Sequence, residues 1–387
     1  MSKDLQIEPE NLIDFLSAIE DPRIDRTKKH DLIDILVIAI CAAVAGAKNW
    51  VEIEDFGNAK IEWFSQFLNL EHGIPSHDTF RRLFIMLDPG MFRDTFINWV
   101  NAVTRDTDLK QICIDGKTLR RSFKKGKASS AIHMVNAWST GASLSMGQMK
   151  SEGKKNEIKT VQKLLNLLHV KGHIITADAM NCQVKTAESI LEKGGEYLLS
   201  LKGNHKYLEK RVQDRFAKKT GKGSRSMKRS SYTKKEKGHG RMEKRRCTVL
   251  KRKEGKSFEI NPLERWPSLN SIVEISSERR EIATGKVSEE KRYYITSLKS
   301  SAKEILESVR GHWEVENKLH WVLDVVFRED DCRSRTGYIP ENFSVLRQFA
   351  LNLIKQEPSK KSIKRKQNLA GWDEEFLLTV LLGGGSN

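Results

Sequence analysis

Residues 308–332 read SVRGHWEVENKLHWVLDVVFREDDC, and the apolar spacing of this stretch predicts a helix. His312, Glu316 and His320 are four residues apart, so on a helix they lie on one face. Four apolar residues surround that face: Trp313, Leu319, Val322 and Leu323. A helix that carries this many polar and aromatic groups together is typical of a functional site.

Two aspartates far upstream each follow a short strand-like run. QICIDG ends just beyond Asp115, and HIITADA carries Asp178 near its end. Functional groups collect at strand ends in open α/β sheets. Two such carboxylates and Glu316 can together hold Mg²⁺, which prefers oxygen ligands. A lone aspartate after a strand is more often a turn or cap residue, so the prediction depends on the combination.

The elements around these aspartates predict an α/β fold with a mixed sheet. Three strand-like runs are followed by alternating helix and strand, an order typical of such sheets. The runs lie at 111–116, 133–140, 143–150, 157–168 (helix), 173–179, 184–195 (helix) and 196–203. More strand-like runs follow before residue 300.

Residues 12–105 read as helical throughout. One helix is predicted from Ser76, a suitable N-cap, to Leu87, and it carries Arg81 and Arg82. This helix could enter DNA as part of a helix-turn-helix. It could equally belong to a small helical module with solvated arginines, because helix-turn-helix has no strict sequence code.

The charge of the chain indicates a polyanionic partner. Its 387 residues carry a formal net charge of +17, with a sequence pI of about 9.5. Residues 218–246 hold 13 Lys and Arg against two Glu, a net charge of +11. A segment this basic and poor in apolar residues is expected to be mobile when free. Its concentrated charge favours a phosphate backbone as ligand.

The cysteines and the apolar runs predict a reducing compartment and no membrane span. Five cysteines are scattered, with no CxxC pair, so neither a disulfide framework nor a zinc knuckle is expected. The N-terminus has no signal-peptide pattern. The longest apolar run, 33–47, contains Asp34 and suits a buried helix. We expect a cytoplasmic protein.

Several long motifs resemble those of a known family. They are EDPR, GAKNWVEIEDFG, GIPSHDTFRR, IDGKTLRRS, KKNEI, ITADAMNCQ, LKGNHK, HGRMEKR, RYYITS and HWEVENKLHWVLDVVFREDDC. In this order they resemble the H-repeat-associated proteins, a branch of the DDE transposases of bacterial insertion sequences. The resemblance covers nearly the whole chain, and it implies a bacterial, nucleoid-associated protein.

The resemblance implies a ribonuclease H-like core with a strand-rich insertion between the second aspartate and the glutamate. The 138 residues from Asp178 to Glu316 leave room for it. The expected division is a helical N-terminal DNA-binding or associated domain at 1–105, the first part of the core at 106–205, a basic, strand-rich insertion at 206–300, and the rest of the core at 301–387.

The resemblance also implies the site residues. IDGKTLR matches the first catalytic aspartate at Asp115, TADAMNCQ the second at Asp178, and HWEVEN the glutamate at Glu316. All three are expected to bind Mg²⁺, with Mn²⁺ able to substitute. Glu314 is the nearest competitor but lies off the histidine face. Where many relatives carry Tyr and Arg before the glutamate and Lys after it, this chain has Val309, His312 and Leu323.

The expected partner is double-stranded DNA, bound at the element ends and at the target by a homodimer. The candidate DNA contacts are basic residues within or near the motifs: Lys117, Arg120, Arg121, Lys202, His205, His239, Arg241, His312, Arg81 and Arg82. The expected reaction is cleavage at terminal inverted repeats followed by strand transfer. The alternatives are a structure-specific nuclease with the same core and a DNA-binding protein that has lost catalysis.

Three further interpretations concern the 308–332 stretch. Its histidine spacing could hold zinc, although the HExxH pattern is absent. Trp313 and Trp321 could stack on a flipped base, but packing beneath the helix is favoured. The acidic cluster 329–331 could add a metal ligand or cap the next segment, and the sequence leaves both open.

Overall fold

The structure of the chain is a computed structural model that describes residues 12–122, 131–217, 227–238, 240–256, 258, 260 and 263–383. His239, a predicted DNA contact, lies outside the described residues. So does the first part of the basic segment, 218–226.

Nine strands among the described residues form one mixed sheet, which confirms the α/β prediction. Its order is β3-β2-β1-β4-β5-β9-β8-β7-β6. The strands are β1 (Gln111–Thr118), β2 (His133–Ser139), β3 (Ser145–Ser151), β4 (Ile174–Ala177), β5 (Glu196–Leu201), β6 (Met227–Gly238), β7 (Arg241–Arg252), β8 (Ser271–Glu281) and β9 (Val287–Thr296).

Strand β1 is the point where the sheet changes from antiparallel to parallel pairing. β1 and β2 pair antiparallel, as do β2 and β3, whereas β1, β4 and β5 run parallel. β1 is longer than the sequence indicated, because pairing with β2 continues to Thr118 opposite His133. Asp115 therefore lies within the strand, and the expectation that it follows the strand is wrong.

The strands between residues 227 and 296 extend the same sheet. β9 pairs antiparallel with β5, and β8, β7 and β6 follow outward. The described part of the basic segment, from residue 227, is β6 and the start of β7. The expectation of a mobile segment is therefore wrong there, since ladder pairing fixes the backbone. Cys247 and Val249 of β7 are also buried under helix α10.

Fourteen α-helices lie within the described ranges. They are α1 (Leu12–Ser17), α2 (Leu32–Val44), α3 (Trp50–Ala59), α4 (Ile61–Phe64), α5 (His77–Met86), α6 (Pro89–Val103), α7 (Glu157–Leu167), α8 (Val184–Glu192), α9 (Lys206–Ala217), α10 (Ala302–Gly311), α11 (Trp321–Val325), α12 (Ile339–Gln356), α13 (Ile363–Trp372) and α14 (Glu374–Leu381).

Helix α12 connects the N-terminal helices to the sheet. It is buried along nearly its whole length and packs against α2, α6 and β3. Its Phe349 contacts the rings of Phe92, Phe96 and Trp99 from α6. One hydrophobic cluster therefore runs from the first helix to the last. The predicted domain boundaries stay a prediction.

Helix α2 is the apolar run expected to be a buried helix. Twelve of its residues are buried, including Asp34, and it sits in the core beside α12. Across the described residues, we find no helix with the length and apolarity needed to cross a bilayer.

Candidate active site

The two predicted aspartates lie on neighbouring parallel strands. Ile114 of β1 is in register with Ala177 of β4, so Asp115 and Asp178 occupy the next position on each chain. Asp178 also caps a short 3₁₀ turn, since its Oδ1 accepts from the Asn181 backbone N–H at 3.3 Å and side-chain Nδ2 at 2.9 Å.

Helix α10 positions the segment that carries the third carboxylate, Glu316, beside these strands. A capping box between Ser301 and Glu304 starts the helix. At its other end, Gln111 of β1 donates from Nε2 to Ser308 O and Thr176 Oγ1, both at 2.9 Å. The helix end is thereby tied to β1 and β4 together.

Residues 308–332 do not form one regular helix, so that prediction is wrong. α10 ends at Gly311, a π-helical turn spans Val315–His320, and α11 spans Trp321–Val325. Glu316 lies in the π-helical turn, a wider turn that is frequent at functional sites. Arg328, whose φ is +56°, then precedes a 3₁₀ turn at Glu329–Asp331.

One cavity brings the three carboxylates together. It measures about 340 Å³, and Asp115, Asp178 and Glu316 all line it. We call it the carboxylate cavity. His312 and Lys202, two of the predicted DNA contacts, line it as well. The side chain of Glu316 is exposed, whereas the aspartates are partly buried.

The carboxylates repel one another electrostatically. Burial raises the pKa of Asp115 to about 7, and the nearby charges of Asp178 and Glu316 contribute. The pKa of Asp178 is raised by burial and by the charge of Glu157. A cation between them would relieve this repulsion, and the all-carboxylate donor set fits a hard divalent ion. No group of three His, Cys, Asp or Glu within the described residues is already arranged at coordination spacing.

The histidines beside the site are neutral at physiological pH. Burial lowers the pKa of His312 to about 4, and its Nδ1 lies 3.0 Å from Thr176 Oγ1. Burial and the charge of Lys117 lower the pKa of His320 to about 3. His320 Nδ1 is 3.6 Å from Asp115 Oδ2. His312 can therefore offer a hydrogen bond, but no positive charge, to a phosphate.

A chain of buried hydrogen bonds connects His133, through Glu157 and Asn181, to Asp178. His133 Nε2 donates to Glu157 Oε2 at 2.6 Å, and the Asn181 amide donates to Glu157 Oε1 at 2.7 Å. The same amide nitrogen donates to Asp178. Gly116 allows the close approach, because a Cβ there would lie 2.6 Å from Glu157 Oε2. Sequence reasoning missed this chain.

Strand β9, one of the strands between residues 227 and 296, forms one wall of the carboxylate cavity. Lys291 and Arg292 of β9 line it, and the guanidinium of Arg292 lies 4.9 Å from the ring centroid of Trp313. Trp313 and Trp321 are 39% and 56% exposed. The favoured prediction that both tryptophans pack beneath the helix is therefore wrong, because Trp313 lines the carboxylate cavity and Trp321 is exposed.

The acidic cluster 329–331 joins the glutamate segment to β1. Glu329 is buried, and its Oε2 is 2.5 Å from Lys117 Nζ. Asp330 pairs with Arg120 at 3.3 Å and Asp331 with Arg121 at 3.1 Å. We call these three ion pairs the clasp. Both open interpretations of the cluster, metal ligand and cap, are replaced by this role.

The other predicted DNA contacts lie in different places. Lys117 is buried, with its ammonium also 2.6 Å from Asp324, so no accessible charge remains there for a phosphate. Its prediction as a DNA contact is not supported by this position. His205 donates from Nε2 to Cys182 O at 2.6 Å. Arg241 pairs with Glu243 at 2.9 Å.

The N-terminal candidates are exposed. Arg81 and Arg82 of α5 are both exposed. The N-cap of α5 is Ser76, as predicted. Whether α5 enters DNA stays a prediction.

The site residues that sequence reasoning missed had signals in the sequence. Glu157, Asn181 and Arg292 all belong to motifs quoted above, KKNEI, ITADAMNCQ and RYYITS. His133 is a polar residue in a strand whose every residue is buried. Only the fold, however, shows that three of them converge on Asp178.

Comparisons with known proteins agree on one family. Residues 106–353 match the profile described as "Transposase DDE domain", and residues 13–100 match "DDE_Tnp_1-associated". The chain is 40% identical to "H repeat-associated putative transposase YhhI" of Escherichia coli (strain K12), covering 98% of this chain and 100% of that one. It is 38% identical to "Putative transposase YncI" of E. coli O157:H7, covering 96% and 94%.

Among solved structures, the chain aligns with a piggyBac transposase synaptic complex with hairpin DNA. The TM-score is 0.41 at 12% identity, covering 98% of this chain and 79% of that one. A likeness this weak supports no inference.

Proposed function

This chain belongs to the DDE transposases, within their H-repeat-associated branch. On that premise, we propose that it cuts DNA at the two ends of the mobile element that encodes it and joins the cut ends to target DNA. The observation that carries the proposal is the common cavity of Asp115, Asp178 and Glu316. Three basic residues also line it, Lys202, Lys291 and Arg292. Lys291 and Arg292 pair with Glu274 at 3.7 Å and Glu290 at 2.8 Å, so we expect Lys202 to be the main contact to a phosphate backbone.

The three carboxylates would hold Mg²⁺, with Mn²⁺ as a substitute. Bound there, the ion would supply Lewis-acid stabilisation of the charge that develops on phosphate oxygens. The aspartates are held on two neighbouring strands and Glu316 on the π-helical turn. His312 and Lys202 would orient the phosphodiester, since both line the same cavity.

We also assign the core to the ribonuclease H-like class. The supporting observation is the strand order β3-β2-β1-β4-β5, with three antiparallel strands followed by parallel ones. We further propose that the enzyme acts as a homodimer on paired ends, and that it works at the nucleoid.

The first test replaces Asp178 by Asn, which keeps the shape but removes the charge. We expect nicking of end-sequence DNA in Mg²⁺ to fall at least about a thousandfold, because one ligand is lost and the transition-state charge is less stabilised. DNA binding without metal should stay within about twofold. Asp108→Asn, at an exposed aspartate outside the cavity, is the matched control. Equal nicking by the Asp178 variant would remove that residue from the site.

Strand transfer into a plasmid separates the proposal from a structure-specific nuclease. Joined products support the transposase, and cleavage without joining supports the nuclease. Binding with no metal-dependent nicking by the wild-type chain would instead indicate a protein that has lost catalysis.

A further inference from the structure

A second and larger cavity lies between the N-terminal helices and the loop that follows α11. It measures about 930 Å³. Six basic residues line it: Lys48, Arg81, Arg121, Arg328, Arg333 and Arg335. Two acidic residues, Glu52 and Asp331, line it as well, so its wall carries an excess of four positive charges. We call it the arginine cavity.

Both acidic residues are engaged within the wall. Glu52 accepts hydrogen bonds from the Lys48 backbone N–H and from Asn49 Nδ2, both at 2.7 Å, at the start of α3. Asp331 lies 2.7 Å from Arg328 and 3.1 Å from Arg121. Arg81 and Arg333 are exposed. The cavity therefore presents positive charge to an incoming ligand.

The walls of this cavity are fixed by contacts between distant segments. Gly337, at φ +54°, lets the loop approach α5 so closely that a Cβ would lie 2.9 Å from the Ile85 carbonyl. The Tyr338 backbone N–H donates to the same carbonyl at 3.4 Å, and Arg335 Nε donates to Arg121 O at 3.0 Å. Groups held in place beforehand lose less entropy when a ligand binds.

The chemistry of this lining selects phosphate. A guanidinium binds phosphate oxygens with two parallel N–H donors and keeps its charge at any physiological pH. A DNA strand presents one phosphate about every 3.4 Å. A cavity of this volume, lined by this many arginines, fits several consecutive phosphates better than a single ion.

The arginine cavity is close to the carboxylate cavity along the chain. Arg121 is six residues after Asp115, so their Cα atoms are at most about 20 Å apart. That distance corresponds to about six base pairs of duplex. The clasp, which includes the Arg121–Asp331 pair, fixes the two cavities relative to each other.

We propose that the arginine cavity binds the backbone phosphates of the same duplex whose scissile phosphate lies in the carboxylate cavity, within about six base pairs of the cut. This inference rests on the proposed function. It adds a second, metal-independent phosphate site, which determines the direction in which the duplex extends from the carboxylate cavity.

The test measures how DNA binding depends on salt. The double variant Arg81→Ala/Arg333→Ala is titrated with a fluorescent random-sequence duplex in EDTA at several salt concentrations, because backbone contacts are independent of sequence. We expect the slope of log K against log salt to fall by about 1.8 for the two lost contacts. Affinity at low salt should fall about tenfold or more.

Two matched variants complete the test. Arg26→Ala/Arg105→Ala removes two exposed arginines that do not line the cavity, so its slope should stay close to that of the wild type. Arg81→Lys/Arg333→Lys keeps the charge and should keep most of the slope. A slope unchanged in the alanine double variant overturns the inference.

The same variants identify the source of the phosphate. If tripolyphosphate binding is lost in the alanine double variant while its DNA slope is unchanged, the ligand is a free polyphosphate and the inference is overturned. Because these measurements exclude metal, they are separate from nicking. A wild-type chain that never nicks removes the proposed function, whereas normal nicking with an unchanged slope removes only the arginine cavity.

Discussion

Asp178 is both a carboxylate of the cavity and the cap of a 3₁₀ turn. Its orientation is fixed by Asn181, whose amide nitrogen donates to Asp178 and to the buried Glu157. Glu157 in turn is held by His133, and His133 Nδ1 lies 3.0 Å from Thr118 Oγ1. Partners of this kind orient metal ligands and are costly to remove.

We predict that Asn181→Ala weakens metal binding about 10- to 100-fold, because Asp178 loses the donor that orients it. Mn²⁺ affinity, measured by electron paramagnetic resonance on the DNA-free chain, is the readout. Thr118→Val is the matched control, since it removes only the outermost hydrogen bond of the chain. Equal Mn²⁺ affinity in Asn181→Ala and wild type would contradict a positioning role.

The clasp is the element that joins strand β1 to the glutamate segment. Burial alone would lower the pKa of Lys117, but the charges of Glu329 and Asp324 outweigh it and raise the pKa. Burial would raise the pKa of Glu329, but Lys117 and Arg347 lower it. Both groups are therefore ionised, and each depends on the other to remain charged in the interior.

We predict that Lys117→Met lowers the free energy of unfolding by about 3–5 kcal/mol, because Glu329 is left as a buried charge. Chemical denaturation is the measurement. The double variant Lys117→Met/Glu329→Gln should recover part of the loss. Arg120→Met, which breaks an exposed pair of the same clasp, should cost less than about 1 kcal/mol. A double variant less stable than Lys117→Met would be inconsistent with this explanation.

Helix α2 carries a carboxyl group in an apolar setting. Asp34 is only 5% exposed, and burial, together with the charge of Asp31, raises its pKa to about 6. The folded chain therefore binds this proton more tightly than the unfolded chain. Its stabilising contribution is complete below the unfolded pKa of 3.8 and is lost as pH rises to about 6.

We predict that the free energy of unfolding of Asp34→Asn, relative to that of the wild type, increases by about 1–3 kcal/mol as the pH rises from about 4 to about 7. The measurement is the difference in free energy of unfolding at the two pH values. Asp14→Asn, at an acidic residue of α1 with no such burial, serves as control. A difference that does not vary with pH would mean that Asp34 ionises normally in the folded chain.

Within the described ranges, one main hydrophobic cluster extends from α1 to α14, and a smaller one lies between α10 and strands β5, β7, β8 and β9. Helix α12 comes from the C-terminal part, yet it packs against α2 and α6 as well as β3. A chain packed in this way should lose its N-terminal helices and its sheet together when it unfolds, because the same helix supports both.

We predict that Phe349→Ala lowers the free energy of unfolding by about 3–5 kcal/mol through loss of its aromatic contacts. Calorimetry should show one transition, shifted to lower temperature, and hydrogen exchange should accelerate in α6 and β3 alike. Phe67→Ala, at a 43% exposed phenylalanine, should have a small effect. Exchange confined to residues 12–103 would indicate that the N-terminal helices unfold independently.

The sequence by itself determined the class of sheet, most element positions and the three candidate carboxylates. Apolar runs, caps such as Ser76 and turn glycines are local signals, and local physics is enough to interpret them. The long motifs added the family. These signals were wrong where strand pairing decides, as at the end of β1, which pairs with β2, and in the basic strand β6, which forms a hairpin with β7.

Only the tertiary structure decided which polar residues meet. From the sequence alone, the acidic cluster 329–331 could not be assigned as a metal ligand or as a helix cap. Its partners lie more than 200 residues away, on β1 and the turn that follows it. Glu157 and Asn181 acquire their role through a sheet register that brings β1 beside β4. Ion pairs and hydrogen bonds between distant segments depend on packing, and no local pattern in the chain specifies them.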